Sequence, residues 1–189
     1  CQEWKYSTYD YPDAPEDSPA DNSVPTDIPA STGKPSIVRI GALFPFFKLS
    51  GDYDSSGVNR FAAFKVAIEE VNSRNDILPD TTLLYALRDS KRDEGAACFE
   101  AVHLTTEAFD GQCVSAIVGA ASSGPSKNAA LVTKQAQVPQ ISYSSTSADL
   151  SYDQTYTYFF RTVPSDAYQG VAMADLITTF GWGTVVTLG

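Results

Sequence analysis

An α/β fold is what this sequence predicts: a doubly wound parallel sheet with helices on both faces. Three observations point to it. Ile37 to Phe44 (IVRIGALF) is a near-continuous apolar run, as a parallel strand buried on both faces requires. From Ser36 onward, short apolar runs alternate with longer stretches whose apolar residues recur at helical spacing. Repeated strand–helix units of this kind build parallel sheets with right-handed crossovers. No internal repeat is visible, and 189 residues is about the length of one domain.

The elements follow in order. Pro45 ends the first strand, and Asp52 to Gly57 is a polar, glycine-bearing loop. Val58 to Asn72 is a helix, because Phe61, Phe64, Ile68 and Val71 fall on one stripe. Thr82 to Leu87 is the second strand. Glu94 to Phe109 is the second helix, with Ala97, Ala101, Leu104 and Ala108 facing inward. Val114 to Val118 is the third strand, followed by the small-residue loop Gly119 to Pro125. Ser126 to Gln137 is the third helix, with Pro125 near its start, where the fixed φ suits the first turn. Ile141 to Tyr143 and the aromatic run Tyr158 to Val163 are further strands. Ala167 to Phe180 is the fourth helix, and Thr184 to Leu188 begins another strand.

Residues 1–35 read differently. They hold six of the eleven prolines and seven acids (Glu3, Asp10, Asp13, Glu16, Asp17, Asp21, Asp27) against Lys5 and Lys34. This is the composition of a flexible acidic leader. The whole chain has a net charge of −10, which argues against nucleic acid as a partner, since that needs a basic footprint. No run approaches the ~18 apolar residues of a membrane span. One histidine and three cysteines without ligand spacing offer no metal site. His103 lies inside the second predicted helix, as a structural residue. Cys98 and Cys113 flank that helix. They form either a disulfide, worth ~3 kcal/mol in an oxidising compartment, or two buried thiols. Cys1 either pairs outside this segment or is a lipidated first residue. No Gly-x-Ser-x-Gly elbow, Gly-x-x-x-x-Gly-Lys loop or Gly-x-Gly-x-x-Gly turn is present, so nothing points to an enzyme or a cofactor.

The most informative stretch is Pro139 to Asp166. A short apolar strand breaks into the hydroxyl-rich turn Ser144, Ser145, Thr146, Ser147, and an aromatic strand then ends in Pro164-Ser165-Asp166. Open α/β sheets bind ligands just past the carboxyl ends of their strands. Ser123, in the loop after the third strand, is either an anion-binding hydroxyl at a helix start or a simple N-cap. Ser144 and Thr146 are either ligand contacts or turn residues satisfying their own backbone. Asp166 either meets a cationic group or caps a helix.

The run Pro139-Gln140-Ile141, Ser144 to Thr146, Asp149-Leu150-Ser151 and Tyr158 to Asp166 closely resembles the ligand-binding domain of class C G-protein-coupled receptors, the metabotropic glutamate and GABA-B type. The resemblance extends over about residues 36–189, through Gly41 to Pro45, Arg60 to Asn72 and Arg88-Asp89-Ser90. It implies a two-lobed flytrap with the type I periplasmic-binding-protein fold, of which residues 36–180 are an incomplete lobe 1 and 181–189 the start of lobe 2. It implies an amino acid-like ligand held by Ser123 at its α-carboxylate, by Ser144 and Thr146 near both α-groups, and by Asp166 at the α-ammonium. Arg60 matches the residue that binds the distal carboxylate in glutamate-type receptors. The family's tyrosine four residues earlier is Ser56 here, so the resemblance does not carry glutamate itself over. It further implies signalling by hinge closure, a homo- or heterodimer through lobe 1, and a G protein reached through a membrane region outside these residues. The segment would then stand on the extracellular face of the plasma membrane. Two other homes for the fold are a solute-binding lipoprotein of a transporter and the flytrap of a guanylate-cyclase-type or ionotropic receptor.

Overall fold

A computed structural model describes residues 37–106, 112–152 and 154–186. The predicted leader, Cys1 and the end of the second predicted helix lie outside the described residues. Five strands form one parallel sheet: β1 (Ile37–Phe44), β2 (Thr82–Asp89), β3 (Ala116–Gly119), β4 (Gln140–Ser142) and β5 (Phe159–Arg161), in the order β2-β1-β3-β4-β5. Helices α1 (Ser55–Ser73), α2 (Glu94–Thr106), α3 (Ser123–Ala136) and α4 (Asp166–Phe180) alternate with them. A 3-10 turn at Ala148–Ser151 interrupts the β4–β5 connection. The α/β class and the parallel sheet with helices on both faces are thus as the sequence predicts.

Side chains alternate across a strand, and both faces of β1 are used. Leu43 joins Ala86, Ala97, Ala101, Leu104, Ile117 and Ala129 beneath α2 and α3. Ala42 and Phe44 point the other way, onto Phe61 and Phe64 of α1, with Tyr85, Leu87, Val118 and Tyr143. The α1 stripe is therefore aromatic, and Phe61 meets both Phe44 (5.7 Å between ring centroids) and Tyr85 (5.7 Å) edge to face. The α2 stripe is mostly alanine, which lets α2 and α3 approach closely.

Differences from the sequence reading have local causes. Helix α1 begins three residues early because the Asp54 side chain caps it, accepting from Ser56 N (3.1 Å) and Gly57 N (3.2 Å). Helix α3 also begins three residues early, at Ser123, with Ser122 in the N-cap position. Thr184 to Val186, the described part of the predicted sixth strand, is not in a strand. Val185 and Val186 are exposed, and a strand exists only when a neighbour pairs its backbone. Helix α4 forms as predicted but buries none of its side chains.

The Cys98–Cys113 bridge is not formed. Cys98 sits near the start of α2, whereas the Cys113 thiol lies 3.8 Å from the Thr106 carbonyl at its other end. Eight residues of helix span ~12 Å. A disulfide needs Cα atoms within ~7 Å. The His103 ring packs edge to face on Phe99 at 4.5 Å.

Candidate ligand site at the carboxyl edge of the sheet

The strand order reverses at β1. The loop after β1 leads to α1 on one face, and the loop after β3 leads to α3 on the other. Loops that diverge in this way open a crevice at the carboxyl edge, the usual ligand position in open α/β sheets. On the β1 side, the Asp89 carboxylate accepts from Phe46 N (2.9 Å), Phe47 N (3.3 Å) and Lys91 N (2.9 Å), which fixes the loop's path. Burial pushes the Asp89 carboxyl upward against those bonds.

On the β3 side, buried hydroxyls lock two loops together. Ser142 Oγ donates to the Ala120 carbonyl (2.7 Å), and Ser126 Oγ and Ser145 Oγ lie 2.8 Å apart. Gln140 Nε2 donates to the Gly119 carbonyl at 2.9 Å. Such a network is stable only when every member is satisfied, and these serines satisfy one another. The hydroxyl run after β4 is therefore partly structural, with Ser142 and Ser145 as its framework.

The predicted site residues sit on that framework. Ser123 opens α3, and its Oγ accepts from Ser147 N at 3.2 Å. Ser122 makes no side-chain cap bond, and the first N–H groups of a helix have no intrahelical partner. Ser144 Oγ donates to the Ala121 carbonyl. The Thr146 carbonyl accepts from Asp166 N at 2.8 Å, joining the β4 loop to the start of α4. The cap of α4 is Ser165, whose Oγ accepts from Ala167 N at 3.4 Å. Asp166 is therefore the first helical residue, its side chain is exposed, and it has no capping duty.

Arg60 approaches from the other wall. Its guanidinium lies 5.8 Å from the centre of the Tyr143 ring, within cation–π range. Tyr143 follows β4 and stacks on Phe44 at 5.1 Å. Arg60 Nη1 and the Tyr143 hydroxyl are buried and make no hydrogen bond among the described residues. Buried polar atoms of this kind are rare in folded proteins. Burial also raises the Tyr143 hydroxyl above its ordinary pKa, which keeps it protonated and able to donate.

Two residues the sequence reading did not single out complete the wall. Arg92 donates through Nε to Asp54, through Nη2 to Ser56 Oγ (2.7 Å) and through Nη1 to Ser122 Oγ (3.5 Å). It thereby spans the crevice from the start of α1 to the β3–α3 loop. Asp54 had a sequence signal, an acid three residues before a glycine at a helix start. Arg92 had none, because its position depends on the left-handed backbone at Lys91 (φ 50°) and Arg92 (φ 51°).

The hydrogen bond from Arg92 holds the Asp54 carboxyl well below the usual carboxylate range, helped by Ser56 and Gly57 and opposed by burial. A carboxyl lowered in the folded state stabilises above its unfolded pKa of ~3.9, and that stability is lost as pH falls toward the folded value. Asp54→Asn keeps a good cap but cannot titrate. The variant is expected to lose less stability than the parent between about pH 4 and pH 2, measured by denaturant midpoints. Equal losses would mean that the pair adds nothing.

Residues 59–189 match the receptor family ligand binding region. The chain belongs to this family. As a ligand binding region it is 33% identical over 176 residues to metabotropic glutamate receptor 8 of Mus musculus, covering 80% of this chain and 19% of that receptor. It is 30% identical over 198 residues to metabotropic glutamate receptor 4 of Rattus norvegicus, covering 85% and 22%. It is 31% identical over 181 residues to the probable metabotropic glutamate receptor mgl-1 of Caenorhabditis elegans, covering 80% and 18%. The ligand binding region described here spans about a fifth of the length of these relatives. The class C resemblance carried by Pro139 to Asp166 is borne out by these matches. Among the described residues, no helix is long and apolar enough to cross a membrane.

Proposed function

We propose that this ligand binding region takes up an amino acid-like ligand at the carboxyl edge of the sheet, as part of a two-lobed class C G-protein-coupled receptor domain outside the cell. One observation carries the reading. Ser123, Ser144, Thr146 and Asp166 are hydrogen-bonded into one edge, opposite a buried arginine nitrogen without a partner. The helix start at Ser123 suits an α-carboxylate. Asp166, exposed and uncommitted, suits an α-ammonium. Arg60 suits a distal acid. The reading has no catalytic step, and the relatives are receptors by name.

Signalling follows from closure of a second lobe over the bound ligand, since a ligand shifts open and closed states by its differential affinity for them. Helix α4 buries nothing against the sheet, and Val171, Leu176 and Phe180 on it are exposed. It belongs with the second lobe, which moves the lobe boundary from 180/181 to about 165/166. Coupling to a G protein would run through membrane spans outside these residues.

A calorimetric titration of the complete ectodomain with acidic, neutral and basic amino acids tests the reading. Saturable binding of an acidic amino acid is expected, and heat from none of them would end it. The relatives' names point to glutamate for those receptors, and an acidic amino acid is the class proposed here.

The exposed face of α2 and α3 offers the dimer contact. Cys98, Val102, Leu131 and Val132 line a shallow groove there, and Val102 and Leu131 are exposed although apolar. Leu131→Asp would place a charge in that contact. The parent ectodomain is expected to sediment as a dimer and the variant as a monomer. A parent that sediments as a monomer at micromolar concentration would exclude this face.

A further inference from the structure

We infer that Asp54 and Arg92 set the charge of the subsite beside Arg60, matching it to a ligand group that carries one negative charge. The inference rests on the proposed amino-acid site and names the charge class of its distal group. Arg60 lies one helical turn after Ser56, whose hydroxyl contacts both Asp54 and Arg92, so all three charges gather at the start of α1. Arg92 is engaged through each of its three guanidinium nitrogens, on Asp54, Ser56 and Ser122. Arg60 makes no ion pair among the described residues and leaves Nη1 buried and unbonded. Asp89, at the base of the same loop, is held by the backbone N–H groups of Phe46, Phe47 and Lys91. Among the described residues, Arg60, Arg92 and Asp54 thus give the subsite two cations and one anion.

A ligand carboxylate would neutralise the remaining charge, with Arg60 Nη1 and the Tyr143 hydroxyl as the donors that lack an acceptor. A doubly charged group would leave one surplus negative charge in a partly buried place, which is costly. It could recover only by drawing Arg92 away from Asp54, which would strand a buried carboxylate. Ser56 reinforces the arrangement. Its hydroxyl donates to Asp54 (2.6 Å) and accepts from Arg92 (2.7 Å), so a small residue here lets the arginine reach the cap of α1.

The test compares two ligands on the complete ectodomain above pH 7, where a phosphate monoester is close to doubly charged. Glutamate and O-phosphoserine are titrated by calorimetry into the parent, Asp54→Asn and Arg92→Gln. Asp54→Asn preserves the helix cap and releases a second cation. It is expected to shift the affinity ratio at least tenfold toward O-phosphoserine. Arg92→Gln removes one cation and should shift the ratio the opposite way, so a folding failure of one variant leaves the other to decide. A parent that binds glutamate, with ratios unchanged in both variants, would overturn the charge assignment and leave the site reading intact. A parent that binds neither ligand would overturn both.

Discussion

Replacing Asp166 by alanine is expected to weaken amino-acid binding by the complete ectodomain by ~1.5–3 kcal/mol, the scale of a charge-assisted hydrogen bond. That is roughly a tenfold to 150-fold rise in Kd. The structure separates this effect from a folding defect. Ser165 caps α4, so the Asp166 side chain leaves no backbone group unsatisfied when it is removed. The bond that ties α4 to the β4 loop runs from Asp166 N to the Thr146 carbonyl, and a backbone donor survives the substitution. Only the favourable placement of an acid in the first helical turn is lost, worth ~0.3–1 kcal/mol of stability. The check is a titration beside a thermal melt. Unchanged affinity would leave Asp166 as an ordinary acid at a helix start, and a large drop in melting temperature would point to the fold instead.

Gly119→Ala is expected to cost about 3–5 kcal/mol of stability, from backbone strain and overpacking together. Gly119 closes β3 with φ +126°, a backbone region that side chains rarely allow. A Cβ there would lie 2.0 Å from the Leu43 carbonyl oxygen. Neither fault can relax cheaply, because Leu43 is the register partner of Gly119 and lies fully buried in the core. The Gly119 carbonyl also accepts from Gln140, which anchors the hydroxyl network under Ser144 and Thr146. A backbone shift would therefore disturb the ligand edge as well as the core. Denaturant unfolding of the parent and the variant measures the loss. A cost below about 1 kcal/mol would mean that β1 and β3 separate more easily than their pairing implies.

Sequence and structure divide the explanation unevenly. Strand and helix order was legible because apolar periodicity and Pro or Gly punctuation are local signals. IVRIGALF read as a strand buried on both faces, which holds for its second half, Gly41 to Phe44, and the α1 stripe placed Phe61 and Ile68 inside, where they are buried. Helix starts were read three residues late at α1 and α3 because capping geometry, not periodicity, decides them. Ser123, Ser144, Thr146, Asp166 and Arg60 were all named from the sequence, by resemblance and by their position past strand ends. Their framework was not. Ser142, Ser145 and Ser126 look no different in sequence from Ser144, yet they are buried and spent on one another.

What the sequence determined by itself is therefore the α/β class, the succession of elements and the hydroxyl-rich edge, since each follows from residue types and spacings along a few turns or strands. Tertiary structure alone decided that Ser165 frees Asp166 from capping, that α4 meets no core, and that Arg92 bridges Asp54, Ser56 and Ser122. The Arg92 bridge joins residues 30 to 38 positions apart in the chain and depends on the dihedral angles of a single loop. No local periodicity encodes a distance of that kind. It arises only when a parallel sheet brings the ends of its strands together.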